Sequence, residues 1–246
     1  MLAYVAFEVR RSMRNPRFLV IVAFVPVLLY VAAAGNARHS HTTIGGLSTG
    51  TWYLASSATF GVLAAALGAS GSRLSAERAS GWSRQLLVTP LSELSWLSGR
   101  VLVSVVVTVP VLAIISVLGL TLGGVSLGAR EWIQFVVTLL VGAIPLALFG
   151  LVVGLALKAE AAQAAQALVL VGLAFLGGLF AQTANGIPSS AQWIADAMPT
   201  YYLVRLAREA VAGQNPQASY IEGIVVITLV TGAVVARLRR SLDLSP

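Results

Sequence analysis

The sequence contains no cysteine and only one lysine, Lys158, among its 246 residues. Without cysteine there is no disulfide framework, no thiolate nucleophile, no Fe–S cluster and no Cys-ligated metal. Charge is scarce as well: 10% of the residues are charged, against about a quarter in ordinary soluble domains. Sixteen basic and nine acidic side chains are too few to clothe the soluble surface of a 25.6 kDa chain. Apolar residues take their place, at 57% of the chain and a mean hydropathy of +0.86. This balance excludes a soluble enzyme and a disordered tail. In such a chain the net charge of +7 marks the cytoplasmic flanks of membrane spans before it suggests nucleic acid.

Motifs that carry chemistry are missing too. There is no H-E-x-x-H and no G-x-x-x-x-G-K-[ST], so neither a zinc protease of that type nor a P-loop is present. The histidines, His39 and His41, share one loop as His-Ser-His. Two ligands on a loop do not make a catalytic metal site, and a solvated loop is the plainer account. No catalytic residue, metal or cofactor of the chain's own is therefore expected.

What the chain has is long charge-free runs. They are Phe18–Ala37 (20 residues), His39–Ser72 (34), Val101–Ala129 (29), Trp132–Leu157 (26), Ala161–Ala195 (35) and Gly223–Ala236 (14). About 20 helical residues cross a bilayer core of about 30 Å. The runs predict six helices, near residues 18–37, 52–72, 101–122, 132–157, 163–183 and 219–236. The fold class is thus all-α, a polytopic membrane protein forming one domain over residues 1–246. With the N-terminus in the cytoplasm, the inner segments sum to +7 and the outer segments to zero. The positive-inside rule then puts both termini in the cytoplasm. The first span has a basic leader of 17 residues and ends in Ala32-Ala33-Ala34, and it reads as a retained anchor rather than a cleaved signal. Fifteen Arg against one Lys, with abundant Ala, hints at a GC-rich bacterium by composition alone, and the expected location is a bacterial inner membrane.

Three segments between spans have patterns of their own. On a wheel of Met1–Arg14, Leu2, Val5, Ala6, Val9 and Met13 lie on one side and Arg10, Arg11 and Arg14 lie opposite. This predicts an interfacial helix over residues 1–15 drawn to anionic lipid, or simply a basic flank. In the inner segment 73–99, Arg73, Glu77 and Arg84 share a helical stripe, with Trp82 and Leu86 opposite. Thr89-Pro90 ends that helix, and a second short piece, Ser92–Gly99, leads to the third span. Such a loop either docks a partner or merely joins two spans. In the outer segment 186–217, Ser190–Ala197 and Tyr201–Ala212 predict a helical hairpin split by Met198-Pro199, set against a plain excursion.

Several features bear on passage through the membrane. Pro26, Pro110 and Pro145 interrupt spans one, three and four. Gly119–Gly123 and Gly150–Gly154 fit the small-residue packing motif, within or between chains. Ser56 and Thr59 in the second span, with Gln163, Gln166, Gln182 and Asn185 in or after the fifth, are candidates for a substrate path or for buried helix contacts. The longer spans lack the intramembrane charge that ion-coupled carriers use. That weighs against a secondary carrier or channel. A membrane enzyme lacks a recognisable nucleophile and base.

The run Glu77-Arg78-Ala79-Ser80-Gly81-Trp82-Ser83-Arg84-Gln85-Leu86-Leu87-Val88-Thr89-Pro90-Leu91-Ser92 resembles the inner loop of ABC-2 type transporter permeases. Glu77, Arg78, Gly81, Leu86, Leu87, Thr89, Pro90 and Leu91 match that pattern. Trp82 stands where Thr is usual, and Ala79 where a second acid is common. Arg14-Asn15-Pro16-Arg17-Phe18 and Met198-Pro199-Thr200 look like further family features. The resemblance implies a six-helix half that pairs with a second permease copy or a related permease. It implies a coupling helix at Glu77–Thr89 that docks a separate ATP-binding subunit. Glu77, Arg78, Gly81, Trp82, Arg84, Leu86, Leu87, Thr89 and Pro90 would form that contact. ATP and Mg would be used by the partner, and the cargo would be a drug, antibiotic or lipid-like molecule moved outward.

Overall fold

The computed structural model of the chain describes residues 2–14, 16–37, 43–81, 93–180 and 192–241. Helices α1 (Leu2–Met13) and α2 (Pro16–Ala37) come first, followed by a hairpin of strands β1 (Thr43–Ile44) and β2 (Leu47–Ser48). Helix α3 (Thr49–Leu67), a π-helical turn (Gly68–Ser72) and α4 (Arg73–Ala79) run on as one rod of 31 residues. Next come α5 (Glu93–Thr121), α6 (Ala129–Ala156) and α7 (Ala159–Leu176). Two short helices, α8 (Gln192–Asp196) and α9 (Pro199–Val211), precede α10 (Ala218–Ser241).

Among the described residues, four stretches are long and apolar enough to cross a membrane: Thr49–Ala79, Ser95–Thr121, Ala129–Ala156 and Ala218–Leu238. Val20–Ala33 in α2 and Glu160–Leu176 in α7 are shorter apolar stretches. Exposed Val20, Ile21 and Phe24 on α2, Leu168 and Phe175 on α7, and Leu229 and Val230 on α10 form surfaces suited to lipid tails rather than water. The chain is an all-α polytopic membrane protein.

The α3–α4 rod is the centre of the bundle and is almost wholly buried. Its start is set locally. Gly45 and Gly46 both have positive φ, at 58° and 83°, which closes the two-residue turn pairing Ile44 with Leu47. Ser48 then caps α3, its Oγ accepting from the Thr51 backbone N–H at 3.3 Å. Small residues let neighbours approach the rod. A Cβ on Gly71 would lie 2.8 Å from the Gly150 carbonyl, and one on Gly154 would lie 2.6 Å from the Gly71 carbonyl. A Cβ on Gly119 would meet Leu54 at 2.8 Å. Both Gly-x-x-x-Gly pairs therefore pack within the chain. Pro26, Pro110 and Pro145 all stay inside helices.

Four boundaries differ from the sequence expectation. The second span continues past Ser72 to Ala79 through the π-helical turn. The piece Ser92–Gly99 is not separate, because α5 begins at Glu93 and runs through Gly99 without a break. Helix α7 stops at Leu176 rather than near residue 183. Backbone bonds from Gly177 to Leu173 and from Leu179 to Ala174 close its end. Finally, the helix that carries Arg73 and Glu77 is short, and Arg84, the third residue of the predicted stripe, lies outside the described residues. Helix α4 ends at Ala79, and Gly81 takes φ +74°, a left-handed conformation that glycine tolerates best.

Helix α9 is packed into the bundle. Leu203, Val204, Ala207 and Val211 are buried, and Thr200 Oγ1 donates to the Leu173 carbonyl at 2.6 Å. Leu203 occupies the space a side chain on Gly142 would need. Tyr201, Tyr202 and Tyr220 cluster edge to face, with centroids 5.3–6.4 Å apart.

Candidate functional site

The rod ends in a cluster of charge. Helix α1 lies against the start of α5, where Gly99 leaves room for the Tyr4 ring; a Cβ there would sit 3.0 Å from it. Val5, Glu8 and Ser12, spaced three and four apart, form the buried face of α1. Arg10, Arg11 and Arg14 are exposed, as the wheel predicts. The side opposite them is less simple, because Ala6 is exposed and Glu8 is buried.

Glu77 on α4 is the hub. It is 7% exposed. Its Oε2 accepts from Arg100 Nη2 on α5, and Arg11 of α1 lies 3.6 Å from its Oε1. Arg11 also reaches Glu8 at 3.3 Å. Arg73 donates to Ser12 Oγ, which ties the rod to α1 a second time. Arg100 is 4% exposed, and its guanidinium lies 5.6 Å from the centroid of the Trp96 ring. Arg78 turns the other way: its Nη1 donates to the Gly154 and Leu155 carbonyls at 2.9 and 2.6 Å. These are end carbonyls of α6, where a cation satisfies orphan acceptors and the helix dipole together. A crevice of about 160 Å³ opens among Arg11, Arg73, Ala76 and Glu77. Burial pushes the Tyr4 phenol up to about 12, the nearby Arg100 opposing the shift.

Glu77 and Arg78 thus fasten the rod to α1, α5 and α6. Gly81 is half-buried at the turn that ends α4. Trp82, Arg84, Leu86, Leu87, Thr89 and Pro90 lie outside the described residues.

The candidate path residues that are described are spread along the rod. Ser56 and Thr59 are buried in the early turns of α3, where Thr59 Oγ1 donates to the Ala55 carbonyl at 2.8 Å. Gln166 on α7 faces the other end of the rod, beside Gly71. Fifteen residues of helix, or about 22 Å, separate Ser56 from Gly71. Gln163 is exposed, and Gln182 and Asn185 lie outside the described residues.

Sequence patterning missed two arginines. Arg100, which immediately precedes the charge-free run Val101–Ala129, is a buried partner of Glu77. Arg208, placed in an outer segment, is 9% exposed and stacks over Trp52 at 3.7 Å from the ring centroid. One signal existed for the first cluster: Glu8 sits at the edge of the apolar face of an otherwise basic helix.

The described residues thus form a largely helical apolar bundle with charge gathered at one end of a buried rod. A family model described as "ABC-2 family transporter protein" matches residues 40–238, and the chain belongs to that family, as the membrane subunit of an ABC transporter. It is similar to the "Putative transport permease YvfS" of Bacillus subtilis (strain 168), with 26% identity over 212 residues, 85% of this chain and 84% of the relative.

Proposed function

We propose that the chain is an export permease whose α4 end receives the stroke of a separate ATP-binding subunit. On this reading α2, the α3–α4 rod, α5, α6, α7 and α10 supply six spans of a bacterial inner membrane, with both termini in the cytoplasm. The partner subunit binds ATP and Mg, since the chain has no P-loop. It docks on the segment that begins at Glu77 and passes through Gly81. A second permease copy, or a related permease, completes the translocation path. The cargo is amphipathic: a drug, an antibiotic or a lipid-like molecule moved outward.

One observation carries the reading. The first two residues of the inner-loop motif are bound to three other helices, Glu77 to α1 and α5 and Arg78 to α6. A displacement of the segment after Ala79 is therefore passed to three helix ends through charged bonds, not lost in a slack linker.

The test is co-expression with an ATP-binding subunit, followed by affinity capture and ATP-dependent uptake into inverted vesicles. Gly81→Val places a β-branched residue at φ +74°, which costs about 1–2 kcal/mol of backbone strain and redirects the segment beyond α4. We expect this variant to insert normally, retain less ATP-binding subunit and lose ATP-driven uptake. Full transport by the chain alone, in vesicles holding no ATPase, would sink the proposal. So would uptake that follows the proton gradient.

A further inference from the structure

At the far end of the rod from α4 lies a second polar cavity, of about 180 Å³. Leu47 of the hairpin, Trp52 of α3, Arg205, Arg208 and Glu209 of α9, and Tyr220 of α10 line it. Arg208 is more than nine-tenths buried, yet no carboxylate neutralises it among the described residues. Its Nη2 donates to Ser56 Oγ at 3.1 Å and to the Gly178 and Leu179 carbonyls at 3.3 Å each, all neutral acceptors. Its Nε has no partner. The adjacent Glu209 is engaged elsewhere, its Oε2 accepting from the Gln217 backbone N–H at 3.0 Å. Arg205 stands over the Tyr201 ring at 5.3 Å. Two guanidinium groups and one carboxylate thus line the cavity.

A buried cation normally has a counter-charge, because desolvation without one is costly. Here the guanidinium is held in place by a hydroxyl, carbonyls and an aromatic face, and no described residue neutralises it. The cavity is smaller than a drug-sized pocket of about 300–1,000 Å³, so it suits a head group rather than a whole ligand. Trp52, Tyr220 and Leu47 supply an apolar wall beside the charge.

We propose that this cavity binds the oxyanion head group, phosphate or carboxylate, of an amphipathic molecule, with Arg208 as the deep cation and Arg205 as the second. The proposal stands whether or not the chain exports, because equilibrium binding needs no ATP-binding subunit.

The experiment titrates the purified full-length chain in neutral detergent with short-chain phosphatidylglycerol and, separately, with inorganic phosphate. Native mass spectrometry reads occupancy. We expect saturable binding that weakens about tenfold in Arg208→Gln and about threefold in Arg205→Gln. Arg130→Gln, which removes an exposed cation at the same end of the bundle, should bind as the wild type does. Phosphate that competes with the lipid identifies a free oxyanion as sufficient, whereas lipid binding that phosphate cannot displace identifies a lipid-borne head group; both support the site. Absence of saturable binding by the wild-type chain overturns it. Equal losses in all three variants also overturn it, because they mark diffuse surface charge. If Arg208→Gln does not fold, wild-type affinity in Arg205→Gln is itself a refutation.

Discussion

Replacing Glu77 by alanine removes the acceptor of Arg100 and leaves that guanidinium stranded. The two side chains are 9% and 4% exposed, so neither can recover a full hydration shell. Breaking a buried ion pair by deleting one partner costs about 3–5 kcal/mol. Arg11, whose side chain is 53% exposed, simply returns to solvent, and its share is about 0–1 kcal/mol. For a chain of this length each kcal/mol moves the melting midpoint by about 2–4 °C, so Glu77→Ala should melt about 6–20 °C below the wild type. Glu77→Gln keeps a neutral acceptor and should lose about half as much. The informative variant is the double one, Glu77→Ala with Arg100→Met. It replaces the pair by apolar side chains and should recover most of the loss, since buried ion pairs are often no better than hydrophobic replacements. The assay is thermal unfolding of detergent-purified protein, run as a double-mutant cycle. Additive losses, or a Glu77→Ala midpoint within experimental error of the wild type, would refute the buried-hub account. The same cycle separates two roles in transport. A stable double variant that still fails to hold the ATP-binding subunit means that Glu77 touches the partner itself. A double variant that transports means that Glu77 acts by positioning the rod.

Two further outcomes follow from packing and burial. Gly71→Val would drive a side chain into the Gly150 carbonyl, 2.8 Å from the Cβ position. Backbone cannot swing aside as a side chain does, so a loss of about 1–3 kcal/mol is expected in the same melting assay. Gly172→Ala is the control, because a Cβ there meets nothing within 4 Å; it should be neutral or should stabilise α7 by up to about 1 kcal/mol. Tyr4 has its phenol raised to about 12 from 10.0. A raised folded-state value means that its stabilising contribution is complete below pH 10 and fades as pH rises toward 12. The melting midpoint should fall more steeply across that window in the wild type than in Tyr4→Phe. Identical slopes would show that the phenol is not desolvated.

Most of the helical frame was legible because spans are a property of composition. A run such as Val101–Ala129 without a charge can be solvated by lipid or by neighbouring helices, and it became the body of α5. Met198-Pro199, read as the split between two short helices, instead opens α9 at Pro199, since proline suits the first turn. Errors arose where a local signal competed with a distant contact. Gly99 looks like a break, and Arg73 like the end of a span, but tertiary packing overrides a propensity penalty of about 1 kcal/mol for the glycine and holds the arginine against Ser12. Gly99 stays helical because Tyr4 fills the space beside it.

The charged contacts were the least legible part, for a physical reason. Positive-inside counting treats every arginine alike, because it concerns which side of the membrane a charge prefers. It carries no information on whether that arginine ends in water, in lipid headgroups or inside the protein. Arg100 and Arg208 lie at opposite ends of the rod, 23 residues from Glu77 and 152 from Ser56 in sequence. No helical period of 3.6 links residues that far apart; only the fold brings them together. The difference between the two ends is chemical. Arg100 meets a carboxylate and is neutralised within the chain, so its removal should be felt in stability. Among the described residues Arg208 meets only neutral oxygens and a ring, and the proposed oxyanion would supply its counter-charge.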